Sequence, residues 1–158
     1  MKTLILYRHC KSSWDGPGLA DIERPLNIRG ENNAKSQAKV LKRKLKKLEL
    51  NINYFFISPS LRTKKTFKPL IKALKIKRKQ FGYFEELYDC SVTDLKNFIK
   101  KIDSNFKTVM IIGHNPSFEN FIKRNTIMKS VEIPTGTFVI LYRINKNKSY
   151  NVRALIKP

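Results

Sequence analysis

The chain has 158 residues, of which 41% are hydrophobic and 11% aromatic, which excludes a mostly disordered polymer and is enough for one sizeable core. Lys and Arg number 33 against 12 Asp and Glu, a net charge of +21, which excludes a neutral surface and favours anionic partners: nucleic acid, an acidic membrane or phosphorylated substrates. No apolar run reaches the ~18 residues of a membrane span, and two cysteines exclude a disulfide scaffold and a four-cysteine zinc site.

The first apolar run, Thr3-Leu4-Ile5-Leu6-Tyr7, is too short for a signal-peptide core and predicts a buried strand. Ala34, Ala38, Leu41, Leu45 and Leu48 recur every three or four residues, predicting an amphipathic helix from about Arg29 to Leu48. Tyr54-Phe55-Phe56-Ile57 predicts a second buried strand. Ser60 is placed to cap a helix whose face is Phe67, Leu70, Ile71 and Leu74, with Pro69 expected to kink or interrupt it. Phe81–Phe84 predicts a weak strand. Ser91-x-x-Asp94 has the form of a capping box ahead of Leu95, Phe98, Ile99 and Ile102, which makes Asp94 a helix-start residue. Val109-Met110-Ile111-Ile112 predicts the clearest buried strand, and Pro116 opens a short helix to about Lys123. Phe138–Ile144 and Val152–Ile156 flank Asn145-Lys146-Asn147-Lys148-Ser149 and predict a C-terminal hairpin. The alternation implies one α/β domain over residues 1–158, a three-layer α/β/α arrangement around an open, mostly parallel sheet with antiparallel additions at the end.

Sequence motifs narrow the chemistry. GxxxxGK[ST], GxGxxG and GxSxG are absent, which argues against P-loop, dinucleotide and nucleophile-elbow sites. The only histidines, His9 and His114, each directly follow a predicted strand, and Arg62 follows another at the start of a helix. Ligands bind at the carboxyl ends of strands in an open parallel sheet, so Arg8, His9, Arg62 and His114 are expected on one side of it. Two readings fit that placement: satisfied histidines with solvated arginines, or a phosphate pocket. In the second, guanidiniums match phosphate oxygens, and nearby cations keep a histidine neutral and nucleophilic. The arginines then supply the positive charge, and neither a metal nor another cofactor is required. A cysteine phosphatase would need Arg six residues after its Cys, but Gly16 and Lys96 stand there. Two distant histidines do not suit a two-metal site.

Five blocks in order, Arg8-His9-Cys10-Lys11-Ser12-Ser13-Trp14, Arg24-Pro25-Leu26-Asn27-x-Arg29-Gly30, Ser58-Pro59-x-x-Arg62-Thr63, Glu86-Leu87-Tyr88-Asp89 and Gly113-His114-Asn115-Pro116, resemble the histidine phosphatase superfamily, in particular its small phosphohistidine phosphatase (SixA-type) branch. The resemblance implies a phosphoglycerate-mutase-like fold. It implies His9 as nucleophile, Arg8, Arg62 and His114 as the phosphate pocket, and Glu86, with Glu85 as its neighbouring substitute, as the acid for the leaving group. The chain departs from the pattern at Cys10, where Gly or another small residue is usual. Thr135-Gly136 matches a late loop of the family and serves equally as a turn. Trp14 is expected to pack the long first loop; Arg24 is left between entrance and packing.

Seven basic residues in 35–47 and eight in 64–79, with no acid in either stretch, are read mainly as solvated helix faces. Lys predominates and aromatics are not interleaved, so no specific nucleic-acid site is expected. The expected protein is a metal-independent phosphohydrolase of the cytoplasm acting on a phosphorylated protein, with phosphohistidine as the expected group. Its rivals are a phosphomonoesterase for a small phosphorylated substrate and a basic binding module with little activity.

Overall fold

The computed structural model describes residues 2–14, 18–143 and 149–158. Four strands run parallel: β1 (Thr3–Arg8), β2 (Tyr54–Ile57), β3 (Phe81–Tyr83) and β4 (Thr108–Gly113). Two more, β5 (Phe138–Tyr142) and β6 (Asn151–Ile156), complete a six-stranded sheet in the order β3-β2-β4-β1-β5-β6. β5 is antiparallel to β1, and β6 to β5. The terminal hairpin expected from the sequence is therefore present in its two strands, while residues 144–148, which include most of its expected turn, lie outside the described residues.

The helices are α1 (Ile28–Lys47), α2 (Leu61–Leu74), α3 (Val92–Lys101) and α4 (Ser117–Asn125). They divide between the two faces of the sheet. Side chains alternate along each strand, so Ile5, Tyr7, Phe55, Met110 and Ile112 meet α1 and α2 through Ala38, Leu41, Phe67 and Leu70. Leu4, Leu6, Phe56, Val109 and Ile111 meet α3 and α4 through Leu95, Ile99, Phe118 and Phe121. Covering both faces explains why β1 and β4 are apolar at nearly every position rather than at every second one.

Local signals set the helix ends. The Asn27 side chain accepts a hydrogen bond from the Gly30 amide and caps α1. Ser91 and Asp94 close a reciprocal capping box on α3, so Asp94 is a helix-start residue as expected. Ser60 does precede α2, but its hydroxyl bonds the Thr63 hydroxyl at 2.8 Å and makes no backbone cap. Pro69 does not interrupt α2, contrary to the sequence expectation. It removes one amide donor, but Phe67 and Leu70 on either side of it are fully buried and hold the helix on the sheet.

Gly30 fills a place that only glycine can. A Cβ there would collide with the backbone carbonyl of Lys11, because the loop leaving β1 lies directly on the first turn of α1. Replacing Gly30 with Ala must push the two backbones apart and should destabilise the fold by about 1–3 kcal/mol. Asn32→Ala, on the exposed side of the same helix, should stay within about 0.5 kcal/mol. Urea unfolding midpoints at equal m-value compare the two.

Candidate active site

Strand register builds the site. β1 and β4 are neighbours with Arg8 opposite Gly113, so the next residues, His9 and His114, leave the sheet side by side. Their ring centroids are 5.1 Å apart, and each residue is 8% exposed. β2 lies on the other side of β4, and the turn after it supplies Ser58, whose hydroxyl is 2.8 Å from His114 Nε2. From the first turn of α2, the Arg62 side chain joins them, itself buried. All four residues expected at the site from the strand ends are thus on one side of the sheet. Arg8 donates through Nη1 to the Ile133 carbonyl at 2.7 Å, and its buried Nε has no partner among the described residues.

The His9 ring is fixed in one tautomer by its own neighbour. Nδ1 lies 2.7 Å from the Cys10 carbonyl oxygen, which can only accept, so Nδ1 carries the proton and Nε2 keeps its lone pair. Burial lowers the His9 pKa to about 4; the Cys10 bond opposes the shift, and the Arg62, Arg8 and Arg24 charges add to it. Burial, then His9, then Arg62 take His114 to about 3. Both imidazoles are therefore neutral near pH 7.

The backbone around His9 is tied from several directions. Its amide donates to the Gly113 carbonyl and its carbonyl accepts from the Gly136 amide, each at 3.0 Å. The Cys10 amide donates to Thr66 Oγ1 on α2, and Gln37 on α1 donates to the Gly136 carbonyl. Gly136 has φ +82°, so the Thr135-Gly136 turn is a left-handed corner that reaches back to β1. Cys10 is fully buried, and burial raises its thiol pKa, which leaves it an inert packing residue.

Asp21 and Tyr88 were not foreseen at the site. Asp21 lies in a short 3₁₀ turn, Asp21–Glu23, in the loop between β1 and α1. Arg62 donates to its backbone carbonyl and, at 2.8 Å, to its carboxylate; Arg24 donates at 2.9 Å and the Tyr88 hydroxyl at 2.8 Å. Burial pushes the Asp21 carboxyl up, but the hydrogen bonds from Tyr88, Arg62 and Arg24 outweigh it and hold the group well below the usual carboxylate range. It is a fixed anion, not a proton donor. The Tyr88 ring meets His114 edge-on at 5.8 Å between centroids. An acid three residues before Arg24 was the available signal for Asp21, but its meeting with Arg62 is tertiary. Trp14 does not pack inside the loop as expected: it is 77% exposed, with the Arg24 guanidinium 3.3 Å from its ring centroid. Arg24 also donates to Ser12 Oγ and the Ser13 carbonyl, so it belongs to the rim.

Glu85 and Glu86 form the 3₁₀ turn Glu85–Leu87, both exposed, just ahead of Tyr88. Among the described residues no hydrogen bond or ion pair holds Glu86. Among those residues, too, no three His, Cys, Asp or Glu side chains group so as to hold a metal ion. What the cluster can do is bind a tetrahedral dianion between guanidiniums with the His9 Nε2 lone pair beside it.

Residues 4–123 match the histidine phosphatase superfamily (branch 1). The chain belongs to that superfamily. A candidate phosphohistidine phosphatase, SixA, from Agrobacterium tumefaciens has the same fold, with a TM-score of 0.86 and 20% identity over 99% of this chain and 98% of that one. A candidate α-ribazole-5′-phosphate phosphatase from Escherichia coli also shares it, with a TM-score of 0.73 and 14% identity over 99% and 96%. An uncharacterised chloroplastic protein of Arabidopsis thaliana is 30% identical over 126 residues, 75% of this chain and 56% of its own length. The match therefore spans just over half of that relative. The family's fold is the phosphoglycerate-mutase-like α/β/α arrangement described above.

The depressed histidines make a pH signature for this histidine phosphatase fold. In the unfolded chain His9 and His114 take up protons below about pH 6.5; in the folded chain they resist until about 4 and 3. The unfolded state thus binds more protons in that window, and stability should fall as pH drops from about 6.5 to 4. Urea titrations at pH 7 and pH 5 should show the loss, and it should shrink in a His9→Gln, His114→Gln double variant.

Proposed function

We propose that the protein is a metal-independent phosphohydrolase that works through a phosphohistidine at His9. The observation that carries this reading is the Nδ1 bond of His9 to the Cys10 carbonyl, which leaves a neutral Nε2 nucleophile among guanidiniums. His9 Nε2 attacks phosphorus, the P–Nε2 bond forms, and the bond from phosphorus to the leaving group breaks. Arg8, Arg62 and His114 hold the equatorial oxygens while charge builds on them. Water then attacks phosphorus, the P–Nε2 bond breaks, inorganic phosphate leaves and His9 regains its lone pair. The arginines supply the cationic charge that a metal ion supplies in other phosphatases.

For the substrate we favour phosphohistidine on a protein. The fold similarity to SixA and the +21 charge, suited to an acidic protein partner, support it. A phosphoramidate also departs easily once its nitrogen is protonated, so it depends little on a protein acid. Glu86 is assigned the proton for ester leaving groups, where an alkoxide needs one. A second reading, a small phosphomonoester as substrate, draws on the fold similarity to the α-ribazole-5′-phosphate phosphatase. Among the described residues no helix is long and apolar enough to cross a membrane, and the two free cysteines suit a reducing compartment, which we take to be the cytoplasm.

Turnover of a phosphohistidine peptide, a sugar phosphate and an aryl phosphate in the presence of EDTA tests the scheme. Activity should survive EDTA and fall by at least about 10³-fold in His9→Ala; activity retained in that variant rejects the nucleophile. Acid quenching during turnover should trap phosphate on His9. Preference for the sugar phosphate over the peptide would favour the second reading. Glu86→Gln should slow the ester substrates by about 10²-fold and the phosphoramidate little; equal, negligible effects on both dismiss the acid.

A further inference from the structure

Outside the catalytic cluster, a groove of about 1120 Å³ lies between α1 and α2. Seven Lys and Arg side chains line it against one acid, Glu31. Lys35, Lys39 and Lys42 of α1 stand across from Lys65, Lys68 and Lys72 of α2, above a floor of Ala34, Ala38, Pro69 and Ala73. The groove is linked to the catalytic site through α2, which carries residues of both. On α2 the residues Arg62, Lys65, Pro69 and Lys72 follow one another at spacings of three and four, so they share a stripe that starts at the phosphate-binding arginine. Ten residues of helix carry that stripe about 15 Å from the site. Glu31, paired with Lys65 at 3.6 Å, sits at the near end, one residue beyond the glycine that packs on the loop leaving β1.

We propose that the α1–α2 groove is a docking site for an acidic segment of the phosphoprotein whose phosphoryl group enters the catalytic site; the proposal rests on the phosphoprotein reading above. Charge complementarity is the first argument: facing rows of cations with a single compensated acid attract a chain of carboxylates. The composition of the lining is the second. Six of the seven cations are Lys, flexible point charges suited to scattered carboxylates, and no aromatic side chain lines the groove to stack a nucleic-acid base. Small residues on the floor admit the aliphatic parts of a polypeptide close to the helix backbones. The stripe's origin at Arg62 is the third, because a segment laid along it delivers its flank to the phosphate cradle.

The test compares two charge reversals of equal size. One replaces Lys35, Lys39, Lys68 and Lys72 with Glu. The other replaces Lys96, Lys100, Lys101 and Lys129, exposed residues of α3 and the segment after α4 on the opposite side of the sheet. If the groove reversal fails to fold, the four Lys→Gln changes serve in its place. Binding of an unphosphorylated Glu/Asp-rich peptide is read by fluorescence anisotropy, and turnover is read with an acidic phosphohistidine peptide, a neutral one and an aryl phosphate. The groove variant should bind the acidic peptide about tenfold more weakly and show a similarly raised KM for the acidic substrate at unchanged kcat. The opposite-face variant should change neither, and aryl phosphate turnover should match in all three proteins. Equal effects from the two reversals, or none from the groove reversal, overturn the proposal. So does loss of single-stranded RNA binding in the groove variant with acidic-peptide binding intact, which would make the groove a nucleic-acid surface. Groove-dependent peptide binding without turnover of either phosphohistidine peptide upholds the groove and removes the substrate assignment instead.

Discussion

The register between β1 and β4 is the constraint on which the rest of the molecule depends. With Arg8 opposite Gly113, the two residues that follow are forced to emerge together, and both are histidines. A slip of one residue along either strand would send one ring to the other face of the sheet. Such a slip is opposed along the whole length of the strands. Leu4 and Leu6 belong to the core under α3 and α4, Ile5 and Tyr7 to the core under α1 and α2, and all four are fully buried. The hydrophobic packing that stabilises the sheet thereby also fixes the separation of the two imidazoles.

Electrostatics follow from that crowding. Two buried imidazoles at 5.1 Å among guanidiniums cannot all be cationic, and the groups with the lower intrinsic proton affinity give way. The histidines stay neutral. Asp21 then balances part of the positive charge, bridging Arg62 and Arg24 while taking a third hydrogen bond from Tyr88. The result is a cluster with a fixed distribution of charge, in which the buried Arg8 Nε, without a partner among the described residues, and the His9 Nε2 lone pair remain available.

Much of the architecture was legible from the apolar runs, because β1, β2 and β4 are short and continuous and α1 has an unbroken three-and-four spacing. Their ends located Arg8, His9, Arg62 and His114 without any knowledge of the pairing. The failures have physical causes. Pro69 reads as a breaker from local rules, but the burial of Phe67 and Leu70 outweighs one lost hydrogen bond. Trp14 reads as a packing residue because large aromatics are normally buried, whereas stacking on Arg24 lets it stand in solvent. Asp21 sits in a loop with no periodicity, and its importance arises only when that loop meets α2 and the segment carrying Tyr88. Ser58 resembles an ordinary turn residue until β2 is placed beside β4. Loops joined by tertiary contacts carry little signature along the chain, and half of this site is made of them.

The division between strand ends and loops has a further consequence. His9, His114 and their backbone supports rest on β1, β4 and the Thr135-Gly136 corner, whereas Trp14, Asp21, Arg24, Glu86 and Tyr88 hang from connecting segments. Connecting segments tolerate insertion and replacement far better than paired strands do. The rim can therefore be rebuilt by evolution or by engineering, with the entrance to the site altered while the histidine pair stays undisturbed. One scaffold can in this way serve many clients.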